Sequence, residues 1–104
     1  MKVCELLSDE TKWTKGAFAR DVKGVECSPN TWVAQSWCLL GAISKCYGYV
    51  PISDGFSPTP CENAIRQLRN ALRRVHGRNV ITDWQDDPET TFEMVQELLK
   101  EANI

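Results

Sequence analysis

The chain has a single histidine, no pair of cysteines spaced C-x-x-C and no apolar run of membrane-spanning length. Each absence removes a class of protein. One histidine, with Cys4, Cys27, Cys38, Cys46 and Cys61 scattered as they are, fits no structural zinc pattern, and neither metal nor cofactor is expected. A membrane span needs roughly 18–20 consecutive apolar residues. The most apolar stretch, WVAQSWCLLGAISKCY at 32–47, is shorter and is broken by Gln35, Ser36, Ser44 and Lys45. The carboxylates near Trp84 lack the D-x-D-x-D-G spacing of a calcium loop. There is no internal repeat and no low-complexity tract. The opening MKVCELLSDETK reaches Asp9 and Glu10 too soon for a secretory signal, so the expected compartment is a reducing cytoplasm. There the five cysteines read as buried thiols acting as small hydrophobes.

What is present suits a single globular domain over residues 1–104, with 42% hydrophobic and 25% charged residues. A helix apolar on nearly every side belongs at the centre of a domain. The 32–47 stretch is therefore expected to be a core helix, capped by Ser28 with Pro29 in its first turn and stopped at Gly48. Trp32, Leu39, Ile43 and Cys46 would share one side, widened by Val33, Trp37, Leu40 and Tyr47. Ahead of it, Val3, Leu6 and Leu7 predict a short helix. The D-V-K-G turn at 21–24 predicts a hairpin with strands near 16–21 and 24–27, with Trp13 and Phe18 lying against the helices.

Residues 48–59 read as a loop. T-P-C-E at 59–62 opens a helix to His76, with Ala64, Ile65, Leu68, Ala71, Leu72 and Val75 as its apolar stripe. Val80, Ile81 and Trp84 suggest one helical turn, and Thr90 with Glu93 a capping box for a last helix over 90–103. The expected class is mainly α with a small β-hairpin (α+β), its central buried helix packed by two amphipathic helices.

Charge separates the C-terminal half into two regions. Residues 61–78 carry Arg66, Arg69, Arg73, Arg74 and Arg78 against Glu62, a net of +4; residues 83–104 carry seven carboxylates against Lys100, a net of −6. Arginines three and four apart line one helical face, as phosphate binding requires, and they make nucleic acid an alternative partner. The plainer reading is a solvated face paired with the acidic last helix. A thiol enzyme is the other alternative, with Cys38 as nucleophile, His76 as base and Asp83 or Asp86 orienting it, or with Cys61 near a helix start. More than two turns inside its helix, however, Cys38 reads as core. The expectation is instead a non-enzymatic protein that binds another macromolecule. Its contacts would be the aromatic loop residues Tyr49 and Phe56 and the acids Asp86, Asp87, Glu93, Glu97 and Glu101. Oligomeric state is not legible.

Three blocks, W-T-K-G-A-F-A-R-D-x-x-G at 13–24, W-C-L-L-G-A-I at 37–43 and I-T-D-W-Q-D-D-P-E-T-T-F-E-M-V-Q-E-L-L at 81–99, resemble a family of small uncharacterised bacterial and phage-borne proteins, a domain of unknown function. Gln85 stands where that family usually has asparagine. The resemblance implies a mainly helical fold and no particular activity, and it suggests an origin in a phage or mobile element acting on host machinery.

Overall fold

The computed structural model describes residues 2–48 and 60–104. In chain order come α1 (Val3–Leu6), a 3-10 turn (Glu10–Lys12), β1 (Ala19–Arg20), β2 (Ser36–Trp37), α2 (Leu39–Tyr47), α3 (Pro60–His76), α4 (Ile81–Asp86) and α5 (Phe92–Ala102). The fold is mainly α with one small antiparallel sheet.

The helical core follows the predicted stripes except at the end of α3, where Val75, expected in the stripe, is 52% exposed. Ala64, Leu68, Ala71 and Leu72 of α3 and Val95, Leu98, Leu99 and Ala102 of α5 are all buried, and the two helices pack together. On its other flank α3 packs against α2, which also touches α1 and α4. Gly48 and Gly77 close α2 and α3 at φ +73° and +66°, where a side chain would be strained. Both ends of the described chain meet: the Lys2 ammonium donates to Asn103 Oδ1 at 2.9 Å, and the Cys4 amide donates to the Ile104 carbonyl at 3.5 Å.

The middle of the chain departs from expectation. The central helix begins at Leu39, not near Pro29, and its cap is Cys38 rather than Ser28. Residues 28–34 make two successive turns, Thr31 N–H to the Ser28 carbonyl and Ala34 N–H to the Thr31 carbonyl. Residues 35–38 are then drawn into extended pairing: the Gln35 amide donates to the Arg20 carbonyl at 2.8 Å and the Cys38 amide to the Phe18 carbonyl at 3.1 Å. A non-local ladder has outcompeted helical periodicity. Trp32, expected in the core, is consequently 89% exposed.

The D-V-K-G turn forms as expected, with Gly24 at φ +81° and the Asp21 carboxylate accepting from the amides of Lys23 and Val25. Residues 25–27 run beside β1 as well, the Cys27 amide donating to the Ala19 carbonyl at 3.0 Å. The strand that pairs regularly with β1 is β2, antiparallel, with Ala19 opposite Trp37 and Arg20 opposite Ser36. Trp13 does lie against a helix, its ring 6.1 Å from that of Phe92, whereas Phe18 is 59% exposed. The last helix is capped by Thr91, whose hydroxyl accepts from the Met94 amide, not by Thr90. Thr90 is buried and donates to the Trp84 carbonyl at 2.6 Å, tying the last helix back to α4.

One glycine is set by close approach rather than by a turn. A Cβ on Gly41, in the first turn of α2, would stand 1.9 Å from the Phe18 carbonyl oxygen. Backbone cannot yield as a flexible side chain can. Gly41→Ala is therefore expected to cost about 3 kcal/mol or more in a urea melt. Gly24→Ala, with open space but positive φ, is expected to cost about 1–2 kcal/mol. Equal costs at the two positions would contradict the close approach.

Candidate functional site

Three separate stretches of chain converge on one cavity of about 290 Å³. It is lined by residues 16–18 and Glu26 around the β-loop, by Cys38, Leu39 and Leu40 at the start of α2, and by Ile81, Thr82, Gln85 and Asp86 of α4.

Interlocking hydrogen bonds hold the walls. Gln85, only 2% exposed, uses Oε1 to accept from the Trp13 indole N–H at 2.9 Å and from the Leu39 amide at 3.0 Å. Its amide nitrogen donates to Asp86 Oδ1, which also accepts from the Gly16 amide at 3.1 Å. Lys15 donates to the carbonyls of Asp87 and Thr90 at 2.6 and 2.9 Å, where α4 has ended and the chain turns towards α5. A cation is favourable beside such carbonyls. Arg20 binds its own loop into shape, donating to the Thr14 hydroxyl, the Lys15 carbonyl and the Gly24 carbonyl. The W-T-K-G-A-F-A-R-D, W-C-L-L-G-A and I-T-D-W-Q-D-D stretches are thus one assembly.

Cys38 now has a different environment from the one expected. It is not inside the helix; it is the N-cap of α2, its sulfur accepting from the Gly41 amide at 3.3 Å. Such a position ordinarily favours a thiolate. Burial wins nonetheless: loss of hydration pushes the thiol above its usual range, against the amides of Gly41 and Leu40, and the Asp86 carboxylate pushes the same way. His76 is not among the residues lining the cavity. It lies against Trp84, ring centres 4.9 Å apart, and among the described residues nothing bonds it to Cys38. Asp83 is exposed, and only Asp86 of the two carboxylates considered lines the same cavity as Cys38. The Cys38–His76 dyad is therefore not assembled. Cys61, in the first turn of α3, is buried, and its thiol too is pushed up by burial and then by Glu62.

The remaining predicted residues are dispersed. Arg74 pairs with Glu101 at 3.0 Å, Arg78 approaches Asp87 at 3.9 Å, and Arg73 donates to Asn79 at 2.9 Å. These are exposed or half-exposed contacts of small net worth. Arg66 and Arg69 are exposed, with no side-chain partner among the described residues. Glu93 and Glu97 are exposed on α5, while Asp87 also accepts from the Glu89 amide, shaping the turn. Tyr49 and Phe56 lie outside the described residues. No group of three or more metal-ligating side chains occurs among the described residues, and no described helix is long and apolar enough to cross a membrane.

The sequence pattern did not single out Lys15 or Gly41, and it marked Gln85 only as standing where the resembled family usually has asparagine. A glycine inside an otherwise good helical pattern was a usable signal, because such a residue often marks close approach of another segment.

The architecture and the cavity define a small mainly α protein whose β-loop is locked into the junction of two helices. The chain belongs to the family of unknown function DUF6197, which it matches over residues 2–103. No curated protein and no solved structure matches it.

Gln85→Met keeps the volume and removes the acceptor, leaving the Trp13 and Leu39 N–H groups unpaired. An expected loss of about 2–4 kcal/mol is measurable by urea unfolding. A change below about 0.5 kcal/mol would show that water replaces the amide. For Cys38, iodoacetamide labelling of the folded protein is expected to be slower than for a free cysteine at neutral pH, accelerating only above the ordinary thiol range near pH ~8.5. Because the folded-state pKa is raised, the thiol's contribution to stability is full below its unfolded pKa and is lost as pH climbs through the folded one. Cys38→Ser is expected to flatten part of that alkaline decline while keeping a cap; an unchanged decline would contradict it.

Proposed function

We propose that this chain is a single-domain, non-enzymatic protein-binding module acting in the bacterial cytoplasm, carried by a phage or mobile element and directed at a host protein complex. The observation that carries the reading is Trp32, a tryptophan 89% exposed at a turn. Val22, Val25 and Phe18, exposed by 84%, 59% and 59%, lie within the same stretch 18–32 around the small sheet. Clustered large apolar side chains held in water mark interaction sites, and tryptophan is enriched among the residues that anchor protein interfaces. The exposed carboxylates of Glu93 and Glu97 offer complementarity to a basic partner. The phage or mobile-element origin is supported by the resemblance of the three blocks to bacterial and phage-borne proteins.

A second reading, a thiol-dependent enzyme, is favoured by one observation: Cys38 caps a helix and faces a cavity that also holds a carboxylate. It lacks a base beside the sulfur. The nucleic-acid reading keeps Arg66, Arg69 and Arg73 as an exposed row, with Arg74 and Arg78 partly neutralised.

Trp32→Ala is expected to leave the thermal midpoint within about 2 °C and to weaken capture of a stoichiometric protein partner from bacterial lysate by about 30-fold or more. Partner capture unaffected by the substitution, or co-purification of nucleic acid alone with salt-sensitive affinity, would reject it.

A further inference from the structure

We infer that the cavity between α2, α4 and residues 16–18 is a binding site for an alkylammonium or alkylguanidinium group. This goes beyond the Trp32 face and does not depend on it. The walls divide by chemistry. Phe18, Leu39, Leu40 and Ile81 supply apolar surface, and Glu26 and Asp86 supply two carboxylates. Among the described residues no lysine, arginine or histidine lines the cavity; the nearby Arg20 guanidinium, 3.6 Å from where a Cβ on Gly16 would stand, is engaged by the Thr14 hydroxyl and the carbonyls of Lys15 and Gly24. The Cys38 thiol that also lines the cavity is held towards its neutral form by burial, so the charged groups of the lining are the two carboxylates.

Asp86 is oriented in advance. Its Oδ1 is held by the Gly16 amide and by the Gln85 side chain, which is itself fixed by Trp13 and Leu39. Oδ2 has no partner among the described residues. A carboxylate fixed at one oxygen offers the other to an incoming donor without first giving up a competing bond. Phe18, 59% exposed at the edge of the cavity, presents a ring on which a cation is favourable. A long aliphatic stem with a charged tip matches an apolar wall with an acidic end.

Size narrows the ligand further. At about 290 Å³ the cavity sits at the lower bound for sites that take drug-sized molecules. It suits one lysine or arginine side chain of a partner, or one arm of a free polyamine. The chemistry is shared; the source is a matter for experiment.

The test is a titration of the full-length protein, followed residue by residue by amide NMR shifts. The probes are blocked lysine and blocked arginine methylamides, spermidine, and uncharged 1-pentanol as the apolar control. Expected are shifts confined to residues 16–18, 38–41 and 81–86, with millimolar affinity for the cations and at least tenfold weaker binding of 1-pentanol. The affinity is expected to fall by at least fivefold in Glu26→Gln/Asp86→Asn. Asparagine keeps an acceptor for the Gly16 amide, and Glu26→Gln alone, at an exposed residue, preserves the fold if the double variant does not. Tighter binding of a blocked amino acid than of spermidine assigns a partner's side chain; the reverse order assigns a soluble amine. Equal binding of 1-pentanol, shifts elsewhere with none at the cavity, or affinity unchanged by Glu26→Gln in a folded protein would each overturn the proposal.

Discussion

The carbonyl oxygen of Gln85 joins three parts of the chain that local propensity alone would leave apart. It is buried, and it accepts from an indole 72 residues earlier and from the first amide of α2, 46 residues earlier. The Leu39 amide is one of the donors that the first turn of any helix leaves without an internal partner. In most helices a cap or water takes it; here a glutamine from another helix does. The same side chain, through its nitrogen, fixes Asp86, and Asp86 in turn fixes Gly16. Each bond alone is worth about 1 kcal/mol net, but every one of these groups is costly to leave unpaired once water is excluded. The lock is maintained because its alternatives are worse, more than because any one of its contacts is strong.

That constraint explains which parts of the fold were legible in the sequence. The helices α3 and α5 are amphipathic over many turns, and the buried stripes Ala64–Leu68–Ala71–Leu72 and Val95–Leu98–Leu99–Ala102 appear where periodicity puts them. Local pattern and global fold agree there. The segment 28–38 is the opposite case. Its apolar residues have helical spacing, and Ser28-Pro29 resembles a cap, yet the carbonyls of Phe18 and Arg20 take the amides of Cys38 and Gln35. No window of sequence that short contains its own competitor, which lies 15 residues upstream for Gln35 and 20 for Cys38. Trp32 and Cys38 changed places as a result: the tryptophan expected in the core faces water, and the cysteine expected mid-helix caps the helix.

The site was partly legible for the same reason. The three blocks could be picked out as distinctive, and they do assemble in one place, but their roles could not be read. The indole of Trp13 reports nothing about Gln85 until the two are seen to meet. Cys38 illustrates how two opposed physical effects resolve. A helix N-terminus lowers a thiol's pKa through a few oriented amides, whereas burial removes hydration from the whole charge, and the nearby Asp86 carboxylate adds to burial. The dipole therefore does not activate this thiol. The arginine row divides likewise: Arg74 and Arg78 meet carboxylates, while Arg66 and Arg69 retain water as their surroundings.

The close approach that demands Gly41 also shapes the cavity. Because the Phe18 carbonyl is pressed against the first turn of α2, where it receives the Cys38 amide, the backbone at residue 18 is fixed against the helix. The residue lines the cavity while remaining 59% exposed. The hollow is thus a consequence of how tightly the rest is joined. Backbone meets backbone at Phe18 and Gly41, and a side-chain amide fixes the opposite wall. The space between them is bordered by the carboxylate of Asp86, held at Oδ1 by the Gly16 amide and the Gln85 side chain.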